Sequence, residues 1–303
     1  MGQTNTTIFS DNTTDTLNWD DVGVMNNLVP PPQLLKWIGN KQRFAQQIAS
    51  VFPTNYGTYI EPFLGSGAVL GAIKPKHGVA GDVIKPLIEL WNLLKDDPER
   101  LYRSYEKNWH EYMQNPKEVY KAILARFNDN PNGEDFLFIT RSCYGGVIRF
   151  TKEGRMSTPI GPHTPISPES FRKRMLAWRA CVKNTDFVSE PYQVTMRKAV
   201  AGDVIYCDPP YVDSQAILYG AQAFKFQELL EIIAECKAKG VKVALSIDGF
   251  KKSKQRVVEL NLIEGLFERE LIVEGGSSML KRFQKKDQIM IGEDVHDFLL
   301  MTW

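Results

Sequence analysis

The chain has 303 residues, of which 43% are hydrophobic and 24% charged, with a formal net charge of +1. That is enough apolar material for a large core and more length than one compact lobe usually holds, while the near-neutral total excludes a uniformly basic or acidic surface. No stretch approaches a membrane span, the start from Met1 to Asn18 is polar, and Cys143, Cys181, Cys207 and Cys236 form no C-x-x-C pair, so the expectation is a cytoplasmic protein without structural zinc or any other metal.

Residues 1–30 are rich in Asn, Thr and Asp and run into Pro30-Pro31-Pro32, which reads as a mostly disordered tail. Order is expected from Gln33 onward. A first helix should carry Phe44, Ile48 and Phe52 at helical spacing as core residues. Next, Tyr59-Ile60-Glu61-Pro62-Phe63-Leu64-Gly65-Ser66-Gly67 reads as a short strand entering a tight glycine turn, where backbone can approach a ligand closely. It is not a dinucleotide fingerprint, because Leu70 occupies the third glycine position of G-x-G-x-x-G. Asp82 follows the stretch Gly78 to Gly81, where an acidic residue accepts ribose hydroxyls in open α/β sheets. A helix N-cap is its competing and compatible role. Helical patterns are expected from Pro86 to Leu94 and from Pro98 to Phe127.

Charge then becomes local. Between Arg141 and Lys183, nine basic residues (Arg141, Arg149, Lys152, Arg155, Arg172, Lys173, Arg174, Arg179 and Lys183) face two acids, Glu153 and Glu169, a balance of +7. A solvated helix face accounts for Arg172-Lys173-Arg174 taken alone. The Gly, Pro and aromatic residues from Tyr144 to Gly161 suit a nucleic-acid-facing hairpin, with a purely structural β-hairpin as the alternative.

The apolar run Val204 to Cys207 ends in Asp208-Pro209-Pro210-Tyr211, which puts a carboxylate and an aromatic ring at a strand's carboxyl end, where ligands bind in open α/β sheets. The chemistry that needs this set is methylation of an exocyclic amine on a nucleobase. Such an amine is a poor nucleophile, because its lone pair is delocalised into the ring. A carboxylate and a proline carbonyl can each accept one N–H and hold the nitrogen towards tetrahedral geometry, while a tyrosine face stacks on the flipped base. A plain Pro-Pro turn would not need both flanking residues. Beyond it, Gln227 to Lys239 reads as an amphipathic helix, followed by strands at Val241–Ile247, Glu268–Val273 and Gln288–Ile291. Asp248 could border the base pocket or simply make a turn before Gly249. Lys281, Arg282, Lys285 and Lys286 are open to phosphate contact or plain solvation.

Asp208 to Tyr211 resemble motif IV of the amino-methyltransferases, and residues 34 to 292 resemble the Dam-type (D12 class, alpha group) adenine-N6 DNA methyltransferases. Lys36-Trp37-Ile38-Gly39-Asn40-Lys41 is similar to the family's opening Lys-Trp-x-Gly-Gly-Lys, and Glu61 to Gly67 to its methionine-binding loop. The resemblance therefore implies S-adenosylmethionine as cofactor, held by Lys36, Trp37, Lys41, Glu61, Pro62, Phe63, Gly65, Ser66, Gly67, Asp82, Asp208 and Tyr192. Tyr192 falls where the family carries the aromatic of an Asp-Phe pair; Asp186-Phe187 has the right letters five positions earlier and ranks second. The segment Tyr144 to Gly161 is similar to the family's target-recognition hairpin. It implies DNA contacts from Tyr144, Val147, Arg149, Arg155 and Pro159, with Arg149 on a guanine. Gly145 and Met156-Ser157-Thr158 depart from the usual form, so the resemblance does not carry over the GATC target.

The expected fold is a Rossmann-like, doubly wound, mostly parallel seven-stranded α/β sheet with an inserted, mainly helical target-recognition domain. Its expected limits are residues 31–95 and 185–303 for the catalytic part and 96–184 for the insert. The expected reaction is methyl transfer to adenine N6 in duplex DNA, with Asp208, Pro209, Pro210 and Tyr211 as catalytic residues and a separately acting restriction endonuclease as an optional partner. An N4-cytosine methyltransferase and an inactive DNA-binding module stay open. A C5-cytosine enzyme would need an exposed nucleophilic cysteine, and Cys207 sits inside an apolar strand.

Overall fold

The computed structural model describes residues 28–151, 153–210, 224–248, 262–277 and 294–303. Residues 1–27, Lys152, Tyr211, the strand expected at Gln288–Ile291 and the basic residues Lys281, Arg282, Lys285 and Lys286 lie outside that set, as does the side chain of Asp248.

A seven-stranded sheet has the order β3-β2-β1-β4-β5-β7-β6. Its strands are β1 (Tyr59–Glu61), β2 (Gly78–Gly81), β3 (Thr185–Val188), β4 (Val204–Cys207), β5 (Lys242–Asp248), β6 (Arg269–Ser277) and β7 (Asp294–Met301). The first five pair in parallel, and β7 runs antiparallel to both β5 and β6. Strand order reverses between β1 and β4, which opens a crevice at their carboxyl ends.

Both faces of the sheet are covered, which is why β4 reads as the continuous apolar run Val-Ile-Tyr-Cys and is buried along its whole length. Val204 and Tyr206 join one core with Trp91 and Trp178; Ile205 and Cys207 join the other with Ile232, Ile233 and Cys236. The second core is closed by α8 (Tyr192–Arg197) and α9 (Phe226–Ala238), the latter matching the amphipathic helix expected there.

On the opposite face lie α1 (Ala45–Ser50), α2 (Ala68–Ile73) and α3 (Lys85–Asp96), followed by α4 (Pro98–Gln114), α5 (Pro116–Asp129), α6 (Gly133–Ser142) and α7 (Pro168–Val182). Phe44, Ile48 and Phe52 are buried as expected, but of the three α1 itself carries only Ile48; Phe44 is its cap and Phe52 lies just past its end. The single helical span expected over Pro98–Phe127 is instead two helices. Asn115 breaks it at φ −145° and ψ 79°, because Pro116 has no N–H to continue the ladder and pushes the preceding residue out of the helical region. Helix α6 has no counterpart in the expected pattern. Nine of its ten residues are buried, Asp135, Thr140, Arg141 and Ser142 among them, so its polar residues do not mark a solvent face. Helix α7 meets α2 at Gly71, where a Cβ would lie 2.6 Å from the Trp178 ring, and Trp178 Nε1 donates to the Pro32 carbonyl at 2.8 Å. Among the described residues no helix is long and apolar enough to cross a membrane.

Candidate active site

The crevice between β1 and β4 holds a cavity of about 380 Å³, within the range of small-molecule sites. Its wall is built from six chain segments: residues 37–41, the turn after β1, the residues after β2, the start of α8, the end of β4, and Phe224 just ahead of α9.

The turn after β1 is shaped by glycine. Gly65 and Gly67 have φ of 48° and 65°, left-handed backbone that other residues resist, and a Cβ on Gly65 would lie 2.9 Å from Trp37 Nε1. The indole therefore rests on the bare backbone of the turn. Asp82 ties this turn to the next strand: its carboxylate accepts from Gly65 N at 3.2 Å and from Ile84 N at 3.0 Å. Burial pushes its pKa up to about 6 against those stabilising backbone donors. Helix α3 begins with Ile84 as its cap, so Asp82 braces the helix entrance from two residues upstream.

Glu61 closes β1 and is 2% exposed. Burial is the main reason its pKa rises to about 8; the neighbouring Asp208 adds to the rise, and the hydroxyl of Tyr59, donating at 2.7 Å, opposes it. Lys41 is also buried, with its ammonium 2.8 Å from Asp208 Oδ1 and 3.4 Å from Asp297 Oδ2. On the far wall, the Tyr192 ring stacks on Phe63 at 4.9 Å, with Phe224 edge-on to Phe63 at 6.0 Å. Tyr192 Oη and Gln193 Oε1 are buried with no hydrogen-bond partner among the described residues.

Trp37, Lys41, Glu61, Pro62, Phe63, Gly65, Ser66, Asp82, Tyr192, Asp208, Pro209 and Pro210 thus all line one cavity, while Gly67 shapes the turn from behind, packed on Trp91. Tyr211 lies outside the described residues. Lys36 does not line the cavity. It is half-buried under the hairpin, where a Cβ on Gly146 would sit 2.8 Å from its own Cβ, and burial followed by the nearby Arg141 charge lowers its pKa. The alternative pair Asp186-Phe187 points elsewhere, Asp186 to a pair with Lys95 at 3.6 Å and Phe187 onto Trp91. Tyr206 and Phe224 also line the cavity and were not anticipated; Tyr206 sits in the apolar run of β4 and looks like core in a sequence, and Phe224 belongs to no motif. Cys207 is fully buried, and burial raises its thiol well above the ordinary value, which suits a packing role rather than a nucleophile.

The segment 144–161 folds as a small antiparallel hairpin. Cys143 bridges Ile160, Phe150 bridges Met156, and Asn128 of α5 holds both backbone groups of Met156, accepting at 2.6 Å and donating at 3.0 Å. Tyr144, Arg149, Arg155 and Pro159 are exposed and Val147 partly so; none of the five lines the cavity, and Arg155 lies 3.5 Å from Asp129. The basic count around this hairpin overstates its surface charge. Arg141 is 3% exposed and donates to the Gln33 and Leu34 carbonyls, and the half-buried Arg174 donates to Gln33 O at 2.7 Å; these two are internal clamps, whereas Arg172 is exposed and lies over the Tyr102 ring.

Comparison with known proteins agrees with this geometry. The DNA adenine methylase of Vibrio cholerae is 31% identical over 225 residues, covering 70% of this chain and 79% of that protein. The DNA adenine methylase of Serratia marcescens is 33% identical over 190 residues, or 60% and 67% of the two chains. Type II methyltransferase M.MjaIII of Methanocaldococcus jannaschii is 28% identical over 198 residues, covering 58% and 68%. Residues 37–279, from the indole that rests on Gly65 to beyond β6, match the family described as D12 class N6 adenine-specific DNA methyltransferase, and the chain belongs to that family.

Proposed function

We propose that the chain transfers a methyl group from S-adenosylmethionine to N6 of an adenine in a short sequence of duplex DNA, with the target base flipped into the cavity. The observation that carries this reading is the meeting of Asp208, Pro209 and Pro210 with the Gly65 turn and Asp82 around one cavity.

The residues present suit the cofactor. The stacked Phe63 and Tyr192 rings offer an apolar wall for its adenine, with Tyr192 Oη and Gln193 Oε1 as unmet polar atoms beside it. Asp82 suits the ribose hydroxyls, and the bare backbone at Gly65 admits a close ligand. Asp82 and Asp208 against Lys41 leave the lining with one more carboxylate than ammonium, apart from Glu61, which burial keeps protonated below about pH 8, and this favours a ligand carrying positive charge. Bound there, S-adenosylmethionine would supply an electrophilic methyl group. Asp208 and the Pro209 carbonyl would accept the two N–H groups of the amine and direct its lone pair, Pro210 would stiffen the platform, and Tyr211 would stack on the base. Residues 96–184 would read the DNA, through Tyr144, Val147, Arg149, Arg155 and Pro159, with Arg155 exchanging Asp129 for phosphate. A cytoplasmic location, suited to four free and buried cysteines, and a separately acting restriction endonuclease complete the reading.

The test is to incubate the protein with unmethylated genomic DNA and S-adenosylmethionine and read modified bases by single-molecule sequencing, with Asp208→Ala as control. Methyl on adenine N6 within one short motif, absent from the folded variant, is the expected result. N4-methylcytosine would move the reading to the other amine, and unmodified DNA would leave a binding module.

A further inference from the structure

Asp297 lies beyond the region matched to the family, on a strand that contributes nothing to the cavity lining, and it is 3% exposed. A carboxylate in that position is costly unless it is paired. Its partner is Lys41, at 3.4 Å, whose ammonium also holds Asp208 Oδ1 at 2.8 Å. Strand β7 runs against its neighbours, so its first half lies at the carboxyl edge of the parallel strands, with Asp297 paired in register with Asp248 of β5. The antiparallel turn of the sheet thereby delivers an acid from the end of the chain to the base of the site.

We propose that Asp297 is a positioning residue for methyl transfer, acting through Lys41 on Asp208. This rests on the function proposed above. Lys41 sits on a flexible four-carbon stem and could meet a carboxylate in many geometries. Two carboxylates, together with the Gly39 carbonyl accepting at 3.3 Å, restrict where the ammonium can sit. An ammonium so placed fixes the plane of the Asp208 carboxylate, and with it the direction from which the amine is received. A misplacement of this kind costs turnover rather than affinity, because the amine's lone pair must be aimed only as the methyl moves.

The test compares Asp297→Asn, Asp297→Glu, Lys41→Met and the double variant Asp297→Asn/Lys41→Met with the wild type, measuring kcat, KM for S-adenosylmethionine and for DNA, and fluorescence of 2-aminopurine at the target position. Expected for Asp297→Asn is a kcat lowered about tenfold or more, both KM values within about threefold, and undiminished 2-aminopurine fluorescence, because cofactor and flipped base still bind. Asp297→Glu should recover much of the loss, and the double variant should be no slower than Lys41→Met, the outcome required if Asp297 acts on Asp208 through Lys41. The inference is overturned if Asp297→Asn keeps kcat within about twofold, if the loss appears in KM for S-adenosylmethionine, or if the two substitutions multiply. A wild type inactive on adenine would overturn the functional reading as well; an active wild type with an unimpaired Asp297→Asn overturns the positioning role alone.

Discussion

Replacing Glu61 with glutamine should stabilise the ligand-free protein, and by an amount that grows with pH. Glu61 is 2% exposed, and its proton affinity in the folded state corresponds to a pKa of about 8 against an ordinary 4.5. Below 4.5 the carboxyl is protonated in both folded and unfolded chains and carries no penalty. Between 4.5 and about 8 the unfolded chain has released the proton and the folded chain still holds it, so stability falls as pH rises; above about 8 the penalty is complete. The slope is about 1.4 kcal/mol per pH unit and the ceiling about 5 kcal/mol, with relaxation and water entry bringing a realistic difference at pH 8 to between about 2 and 5 kcal/mol. Glutamine keeps an oxygen for the Tyr59 hydroxyl and removes both the buried charge and its repulsion with Asp208. The elevated Asp82 is common to both proteins and cancels in the difference. Urea unfolding of wild type and Glu61→Gln at several pH values from 5 to 8, followed by circular dichroism, gives the comparison. A difference that stays flat with pH, or a Glu61→Gln protein less stable at pH 8, would refute the assignment of the shift to burial.

Two further outcomes follow from packing and exposure. Gly71→Ala puts a methyl group 2.6 Å from the Trp178 ring where α2 crosses α7 and should cost about 1 to 3 kcal/mol in thermal or urea unfolding; an unchanged midpoint would mean that the helices slide apart freely. Arg149→Ala should relax sequence preference at one position of the methylated motif by about 1 to 3 kcal/mol, measured as competing kcat/KM values on single-base variants, whereas an equal loss on every sequence would make Arg149 a phosphate contact.

What the sequence made legible was local. Asp208 after an apolar run, the glycine turn after Glu61 and the stripe Phe44, Ile48 and Phe52 each depend on neighbours a few residues apart, and each stands in the structure where that spacing puts it. The Asn115-Pro116 break was visible in the letters and was overridden by an unbroken apolar period on either side. Helix α6 was missed because its polar residues, Asp135, Thr140, Arg141 and Ser142, are buried along with the apolar ones and mark no solvent face. Arg141 illustrates the limit of counting charge: a guanidinium that donates to Gln33 and Leu34 carbonyls is indistinguishable in sequence from one facing DNA. The Asp297 pair with Lys41 joins the two ends of the chain, and no local pattern announces it.

The hairpin is unevenly tethered. At its base, a Cβ on Gly146 would strike Lys36 and one on Gly161 would come within 2.5 Å of the Cys143 carbonyl, whereas at its tip a Cβ on Gly154 would meet nothing within 4 Å. At Gly154 the tip is therefore free of contact with the body of the fold, its constraint there being the left-handed backbone at φ 75° alone, whereas the base is packed against it. On the proposed reading, exposed residues toward the tip can change which bases are met without touching the cavity, whereas a side chain added at Gly146 would press on Lys36, next to the indole that leans on Gly65.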